Sequence, residues 1–135
     1  MTQPNYLSLA DVIAIHEQVM RRLGLAPNPL RNSGGLESAV MRPQMAAWYE
    51  GADLIRQAAL LGVGIPQAQA FLDGNKRTAY LALNTLLRMN GLTYTGEPLD
   101  LAQQFERFAE RSGDPAVTDD FEAWLRANVT KRSRG

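Results

Sequence analysis

Apolar residues recur at three- and four-residue spacing along most of this chain, and strict alternation is nearly absent. That periodicity predicts an all-α domain. Leu9, Val12, Ile13, His16, Val19, Met20 and Leu23 trace one face of a first helix. Ser8 suits its N-cap, Asp11 its first turn and Gly24 its end. Pro27 and Pro29 keep the next stretch irregular. Behind Ser33-Gly34-Gly35 a short helix is predicted from Leu36 to Arg42, stopped by Pro43. A third begins near Ala46 or Asp53 and runs to Ile65, with Gly62, Gly64 and Pro66 predicting a weak or kinked end. A fourth spans Lys76 to Asn90. Its apolar residues Ala79, Tyr80, Leu81, Ala82, Leu83, Leu86 and Leu87 cover most of the circumference, which is the pattern of a buried helix. Asn90-Gly91 stops it, and Leu92 to Gly96 reads as a short extended piece. A fifth helix, Leu99 to Arg111, packs through Leu101, Ala102, Phe105, Phe108 and Ala109. A sixth, Asp119 to Asn128, follows Thr118 as N-cap and packs through Phe121, Trp124 and Leu125. The expectation is a compact bundle of about six helices around one central buried helix, the fourth.

Length and composition narrow this picture. A chain of 135 residues fits a single domain, 1–135, with a core over about residues 8–129 and a frayed tail at 130–135. No window holds the roughly 18 uncharged apolar residues that a membrane span needs. The N-terminal residues lack the basic-then-apolar order of a secretory signal, so the expected location is cytoplasmic. Formal net charge is zero, whereas a nucleic-acid binder usually carries a basic excess; direct nucleic-acid binding is not expected. With no cysteine and one histidine, thiolate chemistry, multi-histidine metal sites and a Ser-His-Asp triad are disfavoured.

The chemistry concentrates in Gln69-Ala70-Phe71-Leu72-Asp73-Gly74-Asn75-Lys76-Arg77, just ahead of the fourth helix. Phe71 and Leu72 are apolar plugs that fix the loop. Asp73 is a hard oxygen ligand of the kind that holds Mg²⁺ beside a nucleotide's phosphates. Gly74 permits a tight turn and close backbone approach, and Asn75 tolerates unusual backbone angles or donates to an anion. Lys76 and Arg77 put two cations at a helix N-terminus, against the helix dipole, a conflict that a bound polyphosphate resolves. The spacing also fits a plainer reading, in which Asp73 caps the helix and the two cations are merely solvated. The loop is not a P-loop, since Gly-x-x-x-x-Gly-Lys-Ser/Thr is absent.

This loop closely resembles the core motif of the Fic/Doc family, written His-x-Phe-x-Asp-Gly/Ala-Asn-Lys-Arg in its Doc (death-on-curing) branch. Upstream, Leu30-Arg31-Asn32-Ser33-Gly34-Gly35-Leu36-Glu37-Ser38-Ala39-Val40-Met41-Arg42-Pro43 resembles that branch's Arg-Asp-x-Gly-Leu-Leu-Glu-Ser-Ala-x-x-Arg-Pro. The resemblance covers roughly residues 8 to 129 and implies a small helical bundle. It implies a toxin of a bacterial toxin–antitoxin pair, with a cognate antitoxin whose C-terminal helix docks in a hydrophobic groove beside the site. Fic proteins ending the loop in Gly-Asn-Gly-Arg transfer AMP to a hydroxyl. A lysine in place of the second glycine, here Lys76, implies the kinase type, which transfers the γ-phosphate of ATP to a threonine of elongation factor Tu. Carried over, Asp73 would hold Mg²⁺, Gly74, Asn75, Lys76 and Arg77 the phosphates, and position 69 would deprotonate the attacking hydroxyl.

At position 69 the family's histidine is replaced by Gln69, and an amide orients a hydroxyl but is no useful base near pH 7. An impaired kinase, an AMP transferase and a binding protein that retains only nucleotide or antitoxin all stay open. His16 lies on the apolar stripe of the first helix and reads as a core histidine rather than a replacement base. Asn32 stands where the family often has aspartate. Arg31 and Glu37 are candidates for an ion pair supporting the loop, and Pro66 is placed to shift residue 69. Trp48 and Tyr49 read as core residues, with a docking groove as the alternative.

Overall fold

The computed structural model describes residues 4–111 and 113–132. It contains α1 (Leu9–Arg22), α2 (Ser33–Glu50), α3 (Leu54–Ala68), α4 (Asn75–Met89), β1 (Leu92–Tyr94), α5 (Pro98–Glu110), α6 (Val117–Arg126) and β2 (Val129–Lys131). The fold is all-α apart from the antiparallel β1–β2 ribbon, which pairs Leu92 with Lys131 and Tyr94 with Val129. β2 thus reaches Lys131, within the 130–135 stretch read as a frayed tail. Residues 133–135 and the side chain of Ala109 lie outside the described residues.

Local chemistry sets several ends as read. Ser8 caps α1 in a capping box, accepting from the Asp11 N–H while the Asp11 carboxylate accepts from the Ser8 N–H. Of the two starts open for the third helix, Ala46 and Asp53, the structure takes the second, with Asp53 capping α3 by accepting from the Arg56 N–H. Elsewhere packing overrides the local signal. α2 does not stop before Pro43 but runs through it to Glu50, ending on left-handed Gly51. Its Leu36, Ala39, Val40, Pro43 and Ala46 are all buried on one side. Continuous burial across both turns outweighs the roughly 3 kcal/mol of an internal proline. α6 starts at Val117 rather than behind Thr118, because Asp114 organises the preceding turn, its side chain accepting from the Ala116 N–H.

The buried centre is α3, not α4. Every residue from Gln57 to Val63 is buried, and α3 packs against α2, α4 and α6. Its glycines are contact points rather than weak points. A Cβ at Gly62 would lie 2.8 Å from Leu83 Cδ1, and one at Gly64 would lie 3.2 Å from Ala39 Cβ. α3 also continues through Pro66 to Ala68. α4 is amphipathic, burying Thr78, Ala79, Ala82, Leu83, Leu86 and Leu87. Phe105, Phe108 and Phe121 form an aromatic cluster closing the far side. Trp48 and Tyr49, read as core, are exposed instead.

Candidate functional site: the loop at the head of α4

The loop between α3 and α4 is tied down by donors from separate parts of the chain. Asn32 Nδ2 donates to the Ala68 carbonyl at 2.7 Å, Arg31 Nε to that of Gln69 at 3.1 Å, and the Arg31 N–H to that of Ala70 at 2.9 Å. Arg31 thus supports the loop through a carbonyl and forms no ion pair with Glu37. Asn75 clamps Phe71 twice, Nδ2 donating to its carbonyl at 2.7 Å and Oδ1 accepting its N–H at 3.2 Å. Asn28 Oδ1 accepts the Asp73 N–H at 2.7 Å. His16 Nε2 lies 3.0 Å from the Asp73 carbonyl. A carbonyl oxygen only accepts, so Nε2 carries the proton and donates.

His16 is 1% exposed, and its ring lies flat on Phe71, centroids 3.6 Å apart and planes 5° from parallel. It is the core histidine that its place on the α1 stripe suggested. With its ring nitrogen committed to the loop, it supports the site rather than reaching a substrate.

Two backbone positions are special. Gln69 sits at φ 45°, ψ 44°, the one non-glycine residue with positive φ among the described residues, and its side chain is exposed. Gly74 has φ 82°, and a Cβ there would lie 3.2 Å from Met20 Sδ and 3.4 Å from His16 Cδ2. The left-handed dihedral favours glycine, and its neighbours leave a methyl only a tight fit.

Gly74 is the N-cap of α4 and leaves that end without a side-chain cap, so Asp73 does not cap the helix. The first N–H of α4 to find a carbonyl is that of Thr78, to Gly74 at 2.9 Å. The N–H groups of Asn75, Lys76 and Arg77 precede it. The loop's acceptors are consumed by this chain's own donors, and donors are what remain at the helix start. They line a shallow cleft of about 430 Å³ together with Leu23, Leu25, Leu72 and Asp73. The Asp73 carboxylate is exposed and meets no donor among the described residues. Lys76 Nζ is 3.0 Å from Glu106 Oε2, an exposed pair, and Arg77 is exposed. A second groove of about 530 Å³ runs from Lys76 and Arg77 between α1, α4 and α5, over Val19, Tyr80, Leu81 and Phe105.

The structure therefore brings Gln69, Asp73, Gly74, Asn75, Lys76 and Arg77 into one loop. It separates their roles: the Asn75 amide holds the loop, while the backbone and the two cations face outward. Asn28 and Glu106 escaped the sequence reading. Asn28 had a faint signal, a lone amide held between Pro27 and Pro29. Glu106 had none, since it lies 30 residues from Lys76 and only the packing of α5 brings it there.

A profile of the Fic/DOC family matches residues 6–87. The Toxin Doc of Mycolicibacterium smegmatis (strain ATCC 700084 / mc(2)155) is 40% identical over 67 residues, 47% of this chain and 50% of that protein. The matched stretch thus spans about half the length of that curated relative. The profile covers α1 to α4 and the loop that α4 carries, and on that ground the chain belongs to the Fic/DOC family.

Proposed function

We propose that this chain is a Doc-like toxin, a kinase-type phosphotransferase whose site binds the phosphates of ATP and is held in check by a cognate antitoxin. The observation behind this reading is the uncapped start of α4, with the N–H groups of Asn75, Lys76 and Arg77 free of carbonyl partners and flanked by two cations. Mg²⁺ fits the donor set at Asp73. Among the described residues no cluster of three or more carboxylate, histidine or cysteine side chains could hold a metal alone. One exposed carboxylate is what Mg²⁺ uses when it keeps its waters and shares a phosphate. Bound Mg²⁺ would supply charge neutralisation on the phosphates.

In this reading the backbone of 75–77 and Arg77 hold the phosphates, and Lys76 leaves Glu106 to join them. An exposed ion pair contributes only about 0–1 kcal/mol, so the exchange is easy. Gln69 orients the attacking hydroxyl of a protein substrate such as elongation factor Tu. It takes no proton, so the hydroxyl proton would pass to the phosphate oxygens or solvent as ADP leaves, and loss of a general base slows transfer by about 10²–10⁴-fold, or about 3–5 kcal/mol. The antitoxin's apolar helix would occupy the α1–α4–α5 groove. The identity of Gln69 also supports a second reading, a protein that binds nucleotide and antitoxin without transfer.

The test is a paired assay of this chain and Gln69→His with elongation factor Tu, Mg²⁺ and ATP labelled at either the γ- or the α-phosphate. Histidine tolerates the left-handed backbone of position 69 better than most residues, so the variant should fold. γ-Label transferred by the histidine variant, and at least about 10²-fold more slowly by the parent chain, is the expected result. Equal rates would show that residue 69 is not the base. α-Label transfer would mean AMP transfer, and no label from either protein would favour the binding reading.

A further inference from the structure

α2 buries one side through Leu36, Ala39, Val40, Pro43 and Ala46. The opposite side of such a helix is normally polar. Here it presents Met41, Met45, Trp48 and Tyr49, exposed by 43%, 45%, 80% and 73%. Scattered exposed hydrophobics need no explanation, but four on two successive turns form a contiguous patch. A Cβ built at Gly34 or Gly51, at either end of α2, meets no atom within 4 Å. Met, Trp, Tyr and Arg are the residue types enriched at protein interfaces.

The spacing says what fits. Ser38, Met41, Met45 and Trp48 follow the three–four–three step of a coiled-coil seam. Glu37 stands on one flank of that seam and Arg42 on the other. Both are exposed, and neither has an ion-pair partner among the described residues. When two copies of α2 pack in parallel across a two-fold axis, the Glu37 flank of one meets the Arg42 flank of the other. An antiparallel two-fold would set each flank against itself. The four apolar residues present roughly 600 Å² per copy, so two copies would bury at most roughly 1,200 Å² through them, the lower limit of specific interfaces.

We propose that the exposed face of α2 seats a second copy of this chain, the two α2 helices running parallel with Glu37 of each facing Arg42 of the other. The surface lies on α2 alone and does not rest on the reading of the loop. Sedimentation of the full chain from low micromolar to several hundred micromolar tests it. The mass should rise with concentration from 14.9 kDa toward twice that value. Trp48→Glu should hold it at one chain while leaving the helical circular-dichroism signal and the melting temperature unchanged at low micromolar concentration, where both proteins are single chains. Glu37→Arg and Arg42→Glu should each weaken association by about 3–10-fold, and the double variant should restore it to within about twofold. A constant single-chain mass at the highest concentration overturns the proposal. So does a dimer indifferent to Trp48→Glu, or a double swap no tighter than the single ones.

Discussion

His16 shows how one residue governs the candidate site without belonging to its chemistry. Its ring is stacked on Phe71, and its N–H holds the Asp73 carbonyl, so it fixes the loop at two points. Removing it leaves a cavity against Phe71 and an acceptor without its donor. His16→Ala should lower stability by about 2–4 kcal/mol, read as a shift of the urea midpoint. Any transfer by the Gln69→His protein should fall less than stability does. A His16→Ala protein with an unchanged midpoint but no transfer would instead make His16 catalytic. The loop itself was legible at this scale, because its residue types sit consecutively from Gln69 to Arg77. Which of them face a ligand was not, because the Asn75 amide turns back on Phe71 and Lys76 finds Glu106 only after folding.

Between elements, close approach decides more than propensity does. α3 can lie in the centre because Gly62 lets it meet Leu83 of α4 and Phe121 of α6. Alanine at Gly62 would gain up to about 1 kcal/mol of helix propensity. It would also force a methyl to 2.8 Å from Leu83 Cδ1, on a side chain fully buried and unable to swing out. Overpacking of this kind costs about 1–3 kcal/mol. Gly62→Ala should therefore lower the melting temperature, with a net loss of up to about 2 kcal/mol; a rise would show that α3 and α4 can part freely. The same physics explains the errors of reading. Pro43 looked like a stop because its missing N–H is a local fact, while the burial that carries α2 through it is not.

Across the whole molecule, charge ties α3 to α6. Arg126 bridges Asp53 and Glu122, and Arg56 bridges Glu122 and Asp119. The hydrogen-bonded Arg126 guanidinium is the main reason the Asp53 carboxyl is held below the usual carboxylate range. Asp11 and Asp114 shift the same way, chiefly through backbone N–H donors at Ser8 and Ala116. A carboxyl whose pKa is lower in the folded chain binds fewer protons there than when unfolded. Its contribution is complete above the ordinary carboxylate pKa, near 4, and is lost as pH falls through the depressed value. Stability should thus decline on acidification below about pH 4. Asp53→Asn keeps an oxygen to cap α3 and loses the ion pair. It should cost less than about 1 kcal/mol at neutral pH and flatten the acid limb. Asp53→Ala also removes the cap, for about 1 kcal/mol more. Urea midpoints between pH 7 and 3 measure both, and an acid limb in Asp53→Asn as steep as in the parent would remove Asp53 from this account.

Periodicity alone determined that the chain is helical and roughly where every helix but α2 lies, because a stripe of buried residues has to recur with the turn of the helix. Short-range chemistry determined the Ser8 and Asp53 caps and the composition of the Gln69–Arg77 loop, since each depends on residues within a few positions of one another. Tertiary structure decided which helix is central, which side of α2 stays open at Trp48 and Tyr49, and which atoms hold the loop. Arg31, Asn28 and His16 lie 38 to 57 residues from the loop atoms they bind. No local pattern encodes that pairing. It arises when the packing of α1 and α2 against the bundle delivers those donors and acceptors to the head of α4.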